Sequence, residues 1–337
     1  MNESHNLVTG LICNSNMFVP CVLTEVLKHP KENFLLMSDL PNTVRFLKEL
    51  KLQNVDVFHY KQPSSRTRIF RARRNLINQT NIYKFEKIVF FHAEFGGIIN
   101  WFLKFMSKET LIYYCKVYNS LPYPKAHGFK ALKFQINEWF FSGVRMDILV
   151  ETPRLVPSLP KKFYDVISAQ PYNIEPNYRL INKQVANFVG SEVYNKNIVF
   201  LTGATVKLGF VKEEEYTTKI NALIESIGIN NCIAKCHPSF NDVFGLENEL
   251  SEIPSYIPGN LIIGNYEIFL SNHSTMLVEA ALAGKMAISL LDYYDQDSKQ
   301  KSALKTFLDD RLQGRATIYY PTCVEEIKYL ISSRMNV

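Results

Sequence analysis

The chain of 337 residues lacks the segments that would place it in or across a membrane. It has no run of eighteen or more uncharged apolar residues, which is about the length that a spanning helix needs. Residues 1–5 are polar and lack the basic and then apolar order of a secretory signal. Repeats of the solenoid type are also absent. These absences predict a cytosolic globular protein.

The six cysteines form no Cys-x-x-Cys pair, which argues against a structural zinc site. Cys232 and Cys236 are four positions apart, but they flank the end of a predicted strand and no second pair of ligands accompanies them. We therefore expect no metal, and six reduced and mostly buried cysteines, as is usual in the cytosol.

Basic charge is unevenly placed along the chain, whose 38 Lys and Arg and 32 Asp and Glu give a net charge of +6. Six cations lie within fourteen positions: Lys61, Arg66, Arg68, Arg71, Arg73 and Arg74. This cluster indicates either a solvated helix face or a surface for anionic lipid or a charged ligand. No nucleic-acid-binding motif accompanies it, so nucleic acid is not an expected partner. Residues 129–141 combine aromatic side chains with Lys130 and Lys133, which predicts either a core helix or a helix at a membrane surface.

The length favours two domains, and the first half alternates short apolar strands with amphipathic helices. The predicted strands are 6–13, 34–37, 55–59, 87–91 and 111–114. The predicted helices are 18–28, 41–50 and 98–105. This alternation is typical of a parallel sheet with crossover helices.

Pro153, Pro157, Pro160 and Pro171 punctuate the middle of the chain and mark a boundary. A second alternating set follows, with strands at 197–201, 231–234, 260–263, 266–270 and 286–290 and helices at 212–227, 276–283 and 324–334. We therefore predict an α/β protein of two separately wound domains with a cleft between them. The domains are 1–155 and 191–337, and 156–190 form the linker region.

Two short segments near the C-terminal end carry the strongest functional signal. Residues 235–238 (Lys-Cys-His-Pro) and 271–275 (Ser-Asn-His-Ser-Thr) each close an apolar run that reads as a buried parallel strand. Open α/β sheets bind ligands beyond the carboxyl ends of their strands. The cation of Lys235, an imidazole and two adjacent hydroxyls at such ends suit a phosphate group, with Ser271 and Asn272 beside them.

His237 is the first candidate for chemistry within these segments. Pro238 forces it out of helical geometry, so the imidazole projects from the strand end. An imidazole titrates near neutral pH and can neutralise or protonate a departing phosphate. A structural role for a lone histidine is the alternative. His29 also precedes a proline, but it ends a helix in a polar loop, and we interpret it as a boundary signal.

The turn after Ser271 is the second candidate. Ser274 or Thr275 can cap a helix that starts near Met276, and free N–H groups at a helix start favour an anion. Glu279 lies about one turn into this helix and could reach a ribose hydroxyl. The alternative is simple capping of a core helix.

Thr202 and Gly203 follow the predicted strand 197–201. Small residues at such a position let the backbone approach a ligand, although a tight turn alone would also explain them.

A transfer to a hydroxyl acceptor also needs a general base, for which a carboxylate at a strand end of the first domain would serve. Glu94, which follows strand 87–91, is the first candidate, and Asp39 is the second.

Together these motifs resemble bacterial sialyltransferases of the GT-B type, especially the lipooligosaccharide sialyltransferase and polysialyltransferase groups. The His-Pro motif of those families matches His237-Pro238, and their serine- and threonine-rich motif matches residues 271–275. The resemblance covers most of the chain in layout, but only these two short motifs are specific. It implies a GT-B fold of two Rossmann-like domains.

The resemblance also implies a function. His237, Ser274 and Thr275 would contact the cytidine monophosphate part of a CMP-sugar, and a single inverting displacement without metal or cofactor would move a sialic-acid-like sugar to a surface glycan. The family's acidic motif is missing, because Cys115-Lys116-Val117 follow strand 111–114. Glu94, one strand earlier, is the nearest substitute for the base.

Three functions therefore remain open. The first is the CMP-sugar transferase, cytosolic or peripheral to the inner membrane, with a glycan or glycolipid acceptor. The second is a GT-B transferase with another donor, such as a UDP-sugar, CMP-Kdo or a CDP-polyol. The third is a degenerate GT-B protein that binds without catalysis, and the missing acidic motif supports it.

Overall fold

The structure is a computed structural model that describes residues 6–62, 68–91, 97–106, 108–115, 144–146, 165–167, 169–185, 197–203, 205–207, 209–237 and 250–335. These residues build two compact units, Met1–Ile181 and Asn182–Val337. Each unit is formed around its own parallel sheet of six strands.

The first sheet has the strand order β3-β2-β1-β4-β5-β8. Its strands are β1 (Asn6–Cys13), β2 (Phe34–Ser38), β3 (Val55–His59), β4 (Tyr83–Phe91), β5 (Leu111–Cys115) and β8 (Gln170–Pro171). Strands β6 (Val144–Met146) and β7 (Asp165–Ile167) pair separately with each other. The central strand β1 pairs in parallel with β2 on one side and β4 on the other.

Four helices cross between these strands in the described part of the first unit: α1 (Val19–Lys28), α2 (Pro41–Glu49), α3 (Ile69–Thr80) and α4 (Gly97–Met106). Proline stands in the first turn of α1 and of α2, where its missing N–H leaves no bond unmade. Helices α3 and α4 pack against each other and bury apolar side chains, among them Leu76 and Phe102, in one core with the sheet.

The second sheet has the strand order β11-β10-β9-β12-β13-β14. Its strands are β9 (Ile198–Leu201), β10 (Cys232–Lys235), β11 (Glu252–Ile253), β12 (Ile268–Ser271), β13 (Met286–Ser289) and β14 (Ile318–Tyr319). The other α-helices among the described residues are α5 (Tyr178–Val185), α6 (Glu213–Ile227), α7 (Met276–Leu282), α8 (Ser298–Leu312) and α9 (Val324–Met335). Strands β9, β10 and β12 are buried along their whole length, which explains their near-continuous apolar sequences.

The predicted strands and helices that fall within the described residues are present with small shifts of their ends, with one exception. Residues 260–263, predicted as a strand, lie in a 3₁₀ helix, Gly259–Asn265, so that prediction is wrong. The predicted linker 156–190 contains β8, which extends the first sheet, and α5. Residues 129–141 lie outside the described residues.

Each sheet has one point at which its strand order reverses. In the first sheet β1, β2 and β3 follow one another outward, and β4 then returns to the other side of β1. In the second sheet β9, β10 and β11 run outward, and β12 returns to the other side of β9. Two neighbouring crossovers leave a sheet in opposite directions at such a point, so the carboxyl ends of β9 and β12 flank a natural crevice.

Candidate functional site

The carboxyl ends of β9 and β10 are held together by their own backbone and one hydroxyl. The Thr202 N–H donates to the carbonyl oxygen of Lys235 at 3.1 Å, and the Thr202 Oγ1 accepts from the His237 N–H at 3.1 Å. These bonds fix His237 directly beside Thr202 and Gly203, as the sequence predicts. Pro238, the other half of the dipeptide, lies outside the described residues.

The end of β12 is tied to both of its neighbours by serine hydroxyls. Ser271 Oγ donates to the carbonyl oxygen of Leu201 at 3.1 Å, and Ser289 Oγ donates to that of Asn272 at 2.7 Å. The polar residues that make these two hydrogen bonds through side chain or backbone are buried, namely Ser271, Asn272 and Ser289. The Ser271 hydroxyl thus bonds within the sheet, where it joins the ends of β9 and β12, and its contact with a ligand stays a prediction.

Two imidazoles meet at this edge. The side chain of His237 is exposed, and its pKa is lowered by partial desolvation and by the charge of Lys235. The pKa of His273 is lowered to about 4, chiefly by burial and also by the charge of His237. The His273 ring packs edge-on against Phe210 at 4.8 Å between centroids. Its Nδ1 is buried without a hydrogen-bond partner among the described residues. His273 stands within the predicted segment 271–275, but its role was not predicted.

The turn into α7 gives different roles to its two hydroxyl residues. Ser274 Oγ accepts from the Met276 N–H at 3.2 Å and so caps the helix start, as predicted. The Thr275 side chain makes no such capping bond. Helix α7 is only seven residues long, so the hydroxyls and histidines, rather than a long helix dipole, define this edge.

Glu279 and the amides of Asn272 and Gln296 add polar atoms without partners beneath the turn. Glu279 is half-buried, its Oε2 has no hydrogen-bond partner among the described residues, and burial raises its pKa to about 7. Gln296 Nε2 donates to Asn272 Oδ1 at 3.1 Å, which leaves Asn272 Nδ2 and Gln296 Oε1 buried and unpaired in the described structure. Gln296 was not predicted, because nothing in the loop sequence places it beside Asn272.

Lys235 does not present its ammonium group to the crevice. The side chain is buried, and Nζ donates to the carbonyl oxygens of Cys236 at 2.7 Å and Ser255 at 3.4 Å. Burial lowers its pKa to about 8. The Nζ of Lys235 is therefore bonded within the second unit, and the contact of Lys235 with a ligand stays a prediction.

The corresponding edge of the first sheet holds a carboxyl group that fits a general base. Asp39 follows β2, and its Oδ2 accepts from Gln62 Nε2 at 3.1 Å while its backbone N–H donates to Asn14 Oδ1 at 3.4 Å. Its Oδ1 is buried without a partner among the described residues, and burial raises the pKa of the carboxyl group. Glu94, the first candidate for the base, lies outside the described residues.

Comparison with known proteins found neither a family model nor a curated protein sequence that matches this chain. Solved structures do match it. A variant of the wall teichoic acid polymerase TagF has a TM-score of 0.51 at 10% identity and covers 98% of this chain and 81% of its own. The same polymerase soaked with CDPG has a TM-score of 0.51 at 11% identity, with 99% and 83% covered.

The chain has the GT-B fold. The UDP-N-acetylglucosamine 2-epimerase of Rickettsia bellii also matches, with a TM-score of 0.44 at 12% identity over 98% of this chain and 97% of its own. At sequence identities this low, similarity to a solved structure establishes only the fold. What this GT-B protein does must therefore be argued from its own strand ends.

Proposed function

We propose that this protein is a transferase that binds a nucleotide-activated donor at the carboxyl edge of the second sheet. The observation that carries the proposal is the convergence of His237, His273 and Ser274 with Thr202 around the reversal point between β9 and β12. Ligands of open α/β sheets bind at such points. The buried polar atoms of Asn272, His273 and Glu279 that lack partners supply further groups that a ligand can satisfy.

Two observations support a donor that carries a cytidine nucleotide. The His-Pro and Ser-Asn-His-Ser-Thr motifs resemble those of enzymes that use CMP-sugars, and TagF, which has the same fold, was soaked with CDPG. A sialic-acid-like sugar carried by CMP is therefore our first proposal for the donor, with a glycan or glycolipid as acceptor. A CDP-polyol or CMP-Kdo is the second proposal and a UDP-sugar the third.

The transfer step assigns one role to each group. A base removes the proton from the acceptor hydroxyl, the hydroxyl oxygen forms a bond to the anomeric carbon, and the bond from that carbon to the phosphate oxygen breaks with its electron pair. His237, Ser274 and Thr275 stabilise the departing phosphate by hydrogen bonding or protonation. Asp39 is the described candidate for the base, and Glu94 stays a prediction. The step needs no metal, so donor turnover should be the same with and without EDTA.

A thermal-shift panel identifies the nucleotide. At about one hundred times its Kd a ligand stabilises the folded state by about 2.7 kcal/mol, which for a unit of this size raises Tm by about 5 °C or more. We expect this shift with CMP or CDP and a smaller one with UMP or UDP. A shift with the uridine nucleotides alone would favour a UDP-sugar donor, and no shift with any of them would refute the proposed site.

Release of CMP from a CMP-sugar, or from CDP-glycerol, tests the catalytic role of His237. Removing one donor to a developing negative charge lowers turnover by about a hundredfold or more, so we expect that loss in His237→Ala. His29→Ala is the matched control, because His29 also precedes a proline but lies at the surface of the first unit, with its Nδ1 3.2 Å from Glu32 Oε1. Tight nucleotide binding with background turnover in the unmodified protein would instead indicate a degenerate, non-catalytic protein.

A further inference from the structure

The first unit carries an exposed surface of aromatic and basic side chains, which we propose docks onto an anionic lipid bilayer. We name it the α3–α4 surface, and it consists of Phe70, Arg71, Arg73, Arg74, Trp101 and Phe105. It belongs to a different unit from the proposed nucleotide site, and the inference does not depend on the proposed transfer.

The aromatic rings and one guanidinium form a continuous row across the two helices. The Cζ of Arg73 lies 5.9 Å from the ring centroid of Phe70 and 5.1 Å from that of Trp101. The rings of Trp101 and Phe105 stack with centroids 6.0 Å apart and an interplanar angle of 21°. These contacts place Arg73 between the exposed ring of α3 and the ring pair of α4.

The core accounts for Trp101, which packs against it, but not for the other two aromatic side chains. Phe70 is 70% exposed and Phe105 is 49% exposed, whereas α3 meets the core through Ile69, Leu76 and Thr80. A single exposed apolar residue is ordinary, but here two exposed rings lie in one row with a third, half-buried ring between them. The outer rings, Phe70 and Phe105, are therefore surface features, and Trp101 joins them to the core.

Helix stability does not account for the arginines either. Arg68 precedes α3 and Arg71 lies in its first turn, where the positive end of the helix dipole disfavours cations. The first turn of α3 has no acidic residue and its last turn no basic one, which is the reverse of the stabilising arrangement. Neither α3 nor α4 contains an Asp or Glu beside the exposed Arg71 and Arg74.

An anionic bilayer is the partner whose chemistry fits both features. Lipid phosphates complement the exposed guanidinium groups of Arg71 and Arg74. The positive end of the α3 dipole also attracts these phosphates, which offsets the unfavourable position of Arg71. Tryptophan and phenylalanine rings favour the boundary between head groups and acyl chains. The helices of the described residues are all too short or too polar to span a bilayer.

Flotation of the full chain with vesicles tests the proposal. We expect binding to vesicles that contain phosphatidylglycerol, weaker binding at high salt, and little binding to pure phosphatidylcholine. Arg71→Glu combined with Arg74→Glu should lower the partition coefficient by at least about tenfold, and Phe70→Ser should lower it several-fold. All three positions are exposed, so Tm should not fall, and an undiminished Tm shows that the variants fold.

Matched controls come from the second unit. Tyr329 is 75% exposed, and Lys212 and Lys299 are exposed cations, so Tyr329→Ser and the pair Lys212→Glu and Lys299→Glu make equivalent changes elsewhere. These controls should change the partition by less than about twofold. Equal losses in variants and controls, or no preference for anionic vesicles, would overturn the proposal. So would absence of vesicle binding together with binding of a single-stranded RNA that the α3–α4 variants lose.

Discussion

Four neighbouring residues of the second sheet's carboxyl edge keep a polar side-chain atom without a hydrogen bond within the described structure. They are Asn272, His273, Glu279 and Gln296. A buried polar atom without a partner destabilises the folded state by about 1–3 kcal/mol, so a cluster of such atoms calls for an explanation. Their concentration where His237 and Ser274 also lie is best explained by a ligand that completes their hydrogen bonds. Stability is then partly given up at this edge for binding.

Glu279 offers a direct test of that interpretation, because burial raises its pKa from 4.5 to about 7. Between these values the folded state keeps a proton that the unfolded state releases, so stability falls as pH rises from about 4.5 to about 7. Glu279→Gln removes this linkage. We expect it to be more stable than the unmodified protein by up to about 3 kcal/mol at pH 8 and nearly equal at pH 4, measured by urea unfolding.

Glu267→Gln is the control for this comparison. Glu267 pairs with Lys285 at 2.5 Å and with Arg334 at 2.8 Å, and these partners lower its pKa. Its removal should therefore decrease stability at pH 8, the opposite sign to Glu279→Gln. Equal stability of Glu279→Gln and the unmodified protein at both pH values would show that the carboxyl group of Glu279 ionises normally.

The sequence predicts which residues lie at strand ends better than it predicts the hydrogen-bond partners of those residues. His237 and Ser274 lie where the strand pattern predicts, since parallel strands end at a common edge. The role of Lys235 could not be read in the same way, because one of its acceptors is the carbonyl oxygen of Ser255, twenty residues away. Gln296 was missed for the same reason, since its partner Asn272 is 24 residues distant in a different loop.

At the scale of elements, periodicity succeeds for long helices and buried strands but not for short apolar runs. The run 260–263 fits a short strand, yet it adopts a 3₁₀ helix, and four residues are too few for periodicity to distinguish the two. Helix α8 was not predicted, although Leu304, Leu308 and Leu312 repeat every four residues and form its buried stripe. Its many charged residues obscured this narrow stripe.

The start of α8 carries a cap whose energy can be measured. Asp297 accepts from the Gln300 N–H at 2.9 Å through its Oδ1, which satisfies one of the free donors of the first turn. Asp297→Ala should lower the free energy of unfolding by about 1 kcal/mol in urea titrations. Asp295→Ala, an exposed change two residues earlier, should have little effect. Equal effects of the two changes would argue against a capping role.

For the whole molecule, alternation of strands and helices is sufficient to predict two parallel α/β sheets. Each crossover helix returns the chain to the end of the sheet at which the strands begin, so consecutive strands run in the same direction. The division between the units is harder to predict. It falls between Ile181 and Asn182, after β8 has joined the first sheet. Two residues, Gln170 and Pro171, form that strand, and a strand so short within a proline-rich segment has no periodic signal.

The central claim is that the carboxyl edge of the second sheet binds a cytidine nucleotide. Hydrogen exchange of the full chain, with and without saturating CMP, tests it most directly, because exchange reports on every part of the molecule at once. We predict slower exchange at 202–203, 236–237 and 272–275 and no change in the first sheet. Slower exchange confined to the strand ends of the first sheet, or no change anywhere at saturating CMP and CDP, would contradict the account.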